Sequence, residues 1–198
     1  METKGAKTRK RIIEKTLQIF SLKGYFNTSV NDIVQAAGLT KGGIYVHFKS
    51  KEEIWWTAYA EAVNIWKGIV FKDVRKIKDP LERLKKVIEN DMKNYIGADV
   101  FCGGCFFLNM LLELSGQSDT MSKRVLDGFI KFSALFCSWL NEAEEKKILK
   151  KGLNRAEIAN FLVISLNGTA SFYAATKDSF YLDQTVKQLH FFIDNLRK

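Results

Sequence analysis

The sequence predicts an all-α fold on three observations. A single proline and 13 glycines in 198 residues leave few interruptions, which favours long helices over a many-turned β-sandwich. Apolar residues recur at helical spacing along most of the chain, and no segment alternates with period two for long enough to make a strand. Ser29 and Asp32, Ser50 and Glu53, Asp79 and Glu82, and Asn154 and Glu157 each place a capping side chain three residues before a carboxylate, as in a capping box. About nine helices are expected from these patterns. With 46% hydrophobic and 27% charged residues, a disordered or fibrous chain is excluded.

Taken in order, the first helix carries Ile13, Leu17 and Phe20 on one face. Ahead of that face, Lys4, Lys7, Arg9, Lys10 and Arg11 read as a flexible basic arm. A short second helix runs from Ser29 to Ala37, Gly38 turns the chain, and a third begins at its N-cap, Thr40, and ends near Phe48. Ile33, Ala37, Leu39, Ile44 and Phe48 supply the small core that fixes the angle between them. Helix, glycine-containing turn and helix make a helix-turn-helix. Its outer face would present Thr40, Lys41, Gly42, Gly43, Tyr45, Val46 and His47, and a duplex major groove is wide enough to admit such a helix. Tyr45 and His47 can instead pack on the first helix.

The fourth helix starts after Ser50 with the stripe Ile54, Ala58, Ala62, Ile65 and Ile69. Pro80 follows Asp79 at a first helical position, where its missing N–H costs nothing, and Leu81, Leu84, Ile88, Met92 and Tyr95 continue that helix. Val125, Phe129, Phe132, Phe136 and Trp139 form another stripe, and Val186, Leu189, Ile193 and Leu196 close the chain.

Net charge is uneven. Residues 1–51 hold +7 and residues 52–198 only +2, a basic head on a nearly neutral body, which suits a polyanionic partner. No stretch approaches the ~18–20 uncharged apolar residues of a membrane span, and no apolar segment follows the basic N-terminus as in a secretory signal. Three cysteines fit a reducing cytoplasm better than a disulfide framework.

The segment 8–58 closely resembles the DNA-binding domain of the tetracycline-repressor (TetR) family of bacterial transcription regulators. The resemblance rests on Phe20-Ser21-Leu22-Lys23-Gly24-Tyr25, Thr28-Ser29-Val30, Asp32-Ile33, Ala37-Gly38-Leu39-Thr40-Lys41-Gly42, Ile44-Tyr45, His47-Phe48 and Ser50-Lys51-Glu52. It implies a three-helix DNA-binding domain over 1–50 and a helical effector-binding and dimerisation domain over 51–198. Lys41, Tyr45 and His47 then match positions that contact bases or phosphates, and Lys51 one that grips the backbone. Ser29 would cap the second helix and offer its hydroxyl to a phosphate, with Asn31 near base edges. Gly42 and Gly43 would let the helix approach closely, and Val46 would offer apolar contact to a thymine methyl. The implied partners are double-stranded DNA with a pseudo-palindromic operator, a second copy of the chain, and a hydrophobic or aromatic effector.

Within the larger domain the resemblance adds an effector cavity, to which Phe106, Asn109, Glu113, Phe132, Phe136, Trp139, Thr169 and Tyr173 are assigned. Asn109 and Glu113 stand four apart in an apolar segment and need partners: each other, another helix, or a ligand. Leu189, Phe192 and Ile193 of the last helix are assigned to a dimer interface, a fully internal helix being the alternative. Cys102 and Cys105 flank a Gly-Gly pair; a redox-sensing dithiol and simple packing are both open, and too few further Cys and His residues exist for structural zinc. No phosphate loop, nucleophile elbow or paired carboxylates mark an enzyme. No cofactor is expected. A DNA-binding protein without ligand control remains the alternative to a ligand-released repressor.

Overall fold

A computed structural model describes residues 3–198; Met1 and Glu2, at the start of the expected head, lie outside them. The described residues form nine α-helices and no strand: α1 (Lys4–Lys23), α2 (Val30–Ala37), α3 (Lys41–Tyr45), α4 (Lys51–Val70), α5 (Pro80–Glu89), α6 (Phe106–Leu114), α7 (Asp119–Glu145), α8 (Arg155–Thr176) and α9 (Phe180–Leu196). All four expected N-caps are in place. The Asp32 amide donates to Ser29 Oγ (3.1 Å) and the Glu53 amide to Ser50 Oγ (3.1 Å). The Leu81 amide donates to Asp79 (2.8 Å) and the Glu157 amide to Asn154 (3.3 Å). Only Ser29 and Asp32 complete the reciprocal box among these pairs. Glu53 caps one residue early, at the Lys49 amide, and Glu82 is drawn to Lys85 and Arg197.

The basic N-terminus departs from expectation. Thr3 caps α1, so the chain is helical from Lys4, and the arm that was expected to be flexible is the first turns of that helix. Arg9 is held there, its guanidinium 4.4 Å from the Phe48 ring centroid and 3.4 Å from Thr57 Oγ1.

α1 packs across α2 and α4 to make the head, and α5, α7, α8 and α9 pack on one another to make the body. One continuous cluster of buried residues runs through both. The expected stripes face it: Leu81, Leu84, Ile88, Met92 and Tyr95 are all buried, as are Val186, Leu189, Ile193 and Leu196. Leu189 and Ile193 therefore do not stand at a free surface. They lie in this chain's own core, where α9 packs on α5, and of the three residues assigned to the dimer interface only Phe192 is partly open.

Beyond α5 the helix continues with a changed pitch. Asn90–Ile96 is π-helical, and the Gly97 amide reaches the carbonyl of Met92, five residues back (2.9 Å). The buried Asn90 side chain donates from Nδ2 to the carbonyls of Val70 and Lys72 (both 3.0 Å), closing the C-terminal end of α4.

Candidate nucleic-acid interface and ligand cavity

The helix-turn-helix is built as its residues dictate. Gly38 adopts φ 61°, a left-handed turn that a side chain would strain, and Thr40 Oγ1 accepts from the Gly43 amide (3.1 Å) to start α3. Ile33, Ala37, Ile44 and Phe48 are buried beneath. α3 ends at Tyr45, short of the expected Phe48, and a turn carries the chain to Phe48, whose amide still bonds to Ile44 (3.1 Å). What remains outside is Asn31, Thr40, Lys41, Gly42, Tyr45 and Val46, the last 80% exposed. A Cβ at Gly42 would meet nothing within 4 Å, so the backbone there is open to a close partner. The half-buried His47 ring lies beside Gly5 of α1.

Two of the expected phosphate contacts are already engaged. The Ser29 hydroxyl donates to Asp32 Oδ2 (2.6 Å) while accepting from the Asp32 amide, which leaves it no proton for a phosphate. Lys23 also reaches Asp32 (2.8 Å), and this ammonium, with the Ser29 hydroxyl and amide, holds the Asp32 carboxyl far below its usual range. Lys51 is half-buried with its ammonium 4.3 Å from the Tyr25 ring centroid, and partial desolvation lowers its pKa against the opposing pull of Glu113 and Asp32.

Glu113 belongs to the joint between head and body. From α6 its carboxylate accepts the amides of Tyr25 (2.7 Å) and Phe26 (2.8 Å) in the loop after α1, a charge-assisted pair that Gly24, at φ 79°, makes room for. Asn109 lies on the same helix and donates to the Gly103 carbonyl (2.6 Å), bracing the turn before α6. Gly103 in turn presses on α1: its amide donates to Ser21 Oγ (3.0 Å), and a Cβ there would collide with the Ser21 carbonyl. Neither Asn109 nor Glu113 faces a cavity, because each is consumed by a backbone partner.

The body does form one, partly open to solvent and with a volume of about 260 Å³, between α4, the π segment, α6, α7 and α8. Its walls are mainly apolar and rich in rings: Tyr59 and Trp66 from α4, Phe71, Phe107 from α6, and Phe129 and Phe132 from α7. Its polar groups are Asp91, Tyr95, Cys105 and Asn167, with Lys67 and Lys131 at exposed positions. Trp66 Nε1 donates to Asp91 Oδ1 (3.0 Å). Burial pushes the Asp91 carboxyl up to about 6 despite that hydrogen bond, and raises the Tyr95 hydroxyl, which is buried without a partner.

Of the eight residues assigned to an effector cavity, only Phe132 lines it. Phe106 and Phe136 are fully buried in the core, and Trp139 stacks on Phe136 (6.1 Å between centroids). Thr169 shares a hydrogen bond with Thr185 of α9 (2.6 Å), and the Tyr173 hydroxyl reaches the Gly97 carbonyl. Asp91 and Trp66 escaped the reading. Asp91 lies three residues after Ile88 and four before Tyr95, so an acid inside an apolar stripe was the available clue.

Cys105 opens onto the cavity and is buried. Burial drives its thiol up to about 12, outweighing the amides of Leu108 and Phe107 at the start of α6, which favours the packing alternative over a redox-sensing dithiol. Cys102 is exposed, with its thiol on Gln18 of α1 (3.4 Å).

A further surface stands out on α8 and α9. Phe161, Ile164 and Phe172, with Phe180 and Phe191, are exposed large apolar residues, and Phe161 packs on Phe192 (5.1 Å between centroids). This composition makes α8, against expectation, long and apolar enough to cross a membrane by length and hydropathy alone, at a mean of 1.3 over 18 residues. Its inner face is that of a packed helix, with Asn160 bonded to Ser133 of α7 and Thr169 to Thr185.

Comparison with known proteins agrees with this geometry. Residues 12–55 match the family model described as bacterial regulatory proteins, tetR family, and residues 80–189 match the tetracyclin repressor-like C-terminal domain. The HTH-type transcriptional repressor DhaR of Mycobacterium sp. (strain GP1) is 30% identical over 164 residues, covering 81% of this chain and 79% of that protein. A TetR-family regulator from Cytophaga hutchinsonii superposes with a TM-score of 0.86 at 26% identity, covering 98% of this chain and 97% of its own. A second, from Chloroflexus aurantiacus J-10-FL, shares the fold with a TM-score of 0.90 at 22% identity and 98% coverage of both chains.

Proposed function

The chain belongs to the tetR family of bacterial regulatory proteins and is a DNA-binding transcriptional regulator, not an enzyme; from that premise we propose a homodimeric repressor that leaves its operator when a small molecule fills the cavity. The observation that carries the reading is the placement of two helices. α4 runs from Lys51, beside Tyr25 in the head, to Trp66 in the cavity wall. α6 runs from Phe107 in the cavity wall to Glu113, which grips the loop after α1. Any ligand that shifts the cavity walls pulls on the head at two points.

The division is drawn at residue 50. Residues 1–50 form the reading head and 51–198 the effector and dimer body, with α4 as their shared strut. Lys41, Tyr45, Val46 and Asn31 meet base edges, Thr40 and Gly42 allow close approach, and the basic face of α1 with His47 lies along the phosphates, while Lys51 stays on Tyr25. A second copy covers the outer face of α8 and α9, including Phe192, and its recognition helix reads the other half-site one helical turn, about 34 Å, away. The ligand works only by preferring a body in which the two heads are wrongly spaced.

Selection from random duplexes tests the DNA half of this reading. A nearly palindromic site should emerge, and its affinity should fall steeply with salt as Lys and Arg displace counterions. If no sequence is enriched, the repressor reading fails. The ligand half is tested by screening small aromatic compounds for thermal stabilisation and then for release of the selected duplex. Stabilising ligands that all leave operator affinity unchanged would overturn ligand control.

A further inference from the structure

Asp91 is the one carboxylate or ammonium among the buried side chains of the described residues, at 7% exposure. One oxygen accepts from Trp66 Nε1; the other accepts no hydrogen bond among the described residues. Buried charges in proteins are ordinarily paired or bound to a partner. Around it, Trp66 stands nearly perpendicular to Phe71, Phe107 and Phe132, at centroid distances of 5.5, 6.0 and 5.0 Å. Rings so crossed line one space with both faces and edges, and a cation is drawn to the faces.

We propose that this cavity binds a small aromatic cation, an amine or quaternary ammonium carrying one or two rings, with Asp91 as counter-ion and Trp66 as the ring that positions it. The proposal rests on the cavity's being the effector site and names the class of effector. An anion finds less here. Lys131 is ion-paired with Asp127 of its own helix, and Lys67 is exposed, so neither places a buried positive charge in the cavity. The volume of about 260 Å³ admits a ligand of one or two rings.

The remaining titratable groups facing Asp91 across the cavity are Tyr59 and Lys67 on α4, Tyr95 on its own segment, Cys105 before α6, and Lys131 with Asp127 on α7; α8 contributes Leu166, Asn167 and Ala170 and no titratable group. Among these groups, burial raises the Asp91 carboxyl to about 6.

Calorimetry on the full chain with phenylpropylamine, phenylpropanol and phenylpropionate, which share one ring and differ in head group, tests the assignment. The amine should bind at least about tenfold tighter than the alcohol, with the acid weakest. Asp91→Asn keeps the acceptor for Trp66 and should abolish the amine's advantage while retaining alcohol binding, which reports an intact cavity. On the unmodified protein, lowering the pH through about 6 should weaken the amine and not the alcohol, as Asp91 takes up its proton. Equal affinity of amine and alcohol, tighter binding of the acid, or no amine binding at millimolar concentration overturns the proposal. Amine binding that depends on Asp91 but leaves operator affinity unchanged supports the counter-ion and overturns the effector reading instead.

Discussion

Head and body of this protein use their residues in opposite directions. In the head, Ile33, Ile44 and Phe48 are spent on a small core, and the side chains left outside, Lys41, Tyr45 and Val46, are those proposed to meet DNA. In the body the groups proposed to meet a ligand, Asp91 and Trp66, face inward on a space that five elements leave unfilled. A surface site needs its neighbours only for support. An internal site exists only as long as every wall is present, so it senses whatever moves a wall. In the proposed mechanism the joint formed by Gly103, Glu113 and α4 lets the second kind of site act on the first.

The largest expected effect comes from breaking that joint. Gly103→Ala drives a methyl group into the Ser21 carbonyl, and denaturant unfolding should show a loss of about 3 kcal/mol, since backbone has to move. Unchanged stability would mean that α1 and the turn before α6 separate freely. Next, Ile164→Glu puts a charge in the exposed apolar face of α8, 69% open in the single chain. Light scattering should report a monomer, and operator affinity should fall about 100-fold with one half-site held at a time. A dimer that survives this change uses another face.

Asp91→Asn separates stability from binding. The raised Asp91 pKa means that the native state binds the extra proton between about pH 4 and 6, so stability falls as pH rises through that window. Removing the charge should therefore stabilise the body by up to about 3 kcal/mol at pH 7.5, with the gain vanishing near pH 4. A gain independent of pH would dismiss the ionised carboxylate as its source. Glu113→Ala removes the acceptor of two head amides and should cost about 1–2 kcal/mol of stability while reducing the effect of any releasing ligand on DNA affinity. If ligand response is intact, coupling passes through α4 alone. The smallest change is Lys41→Ala, which should weaken the selected duplex about tenfold and non-specific DNA less. Equal losses on both would place Lys41 on phosphates.

The head was legible because its information is contiguous. Ser29 and Asp32 declare one helix start, Gly38 the turn, Thr40 the next start, all within a dozen residues, and the structure keeps each in that role. Even there, local contacts decided two points otherwise: the Ser29 hydroxyl serves Asp32, and the N-terminal basic run joins α1 once Thr3 caps it. The body was legible in its stripes and not in its site. Spacing places Asn109 and Glu113 together on α6, but it cannot say that their partners are Gly103 and the amides of Tyr25 and Phe26. Leu189 and Ile193 carry the same pattern whether α9 packs on α5 or on a second chain; the helix's rotation decides, and rotation is a property of the bundle. Cys105 begins a helix, as expected of a thiolate, yet burial there is the larger influence.

The π-helical stretch Asn90–Ile96 has a consequence for inheritance. A π turn is an α-helix carrying one surplus residue, so the loss of one codon within it restores ordinary pitch. The helix on either side keeps its facing, because the wide turn had taken up the surplus residue. What is remade is the turn itself, which carries Asp91 and Tyr95 in the cavity wall and Asn90 at the end of α4. Descendants of this chain can thus redraw the cavity in a single step, with the recognition helix unchanged.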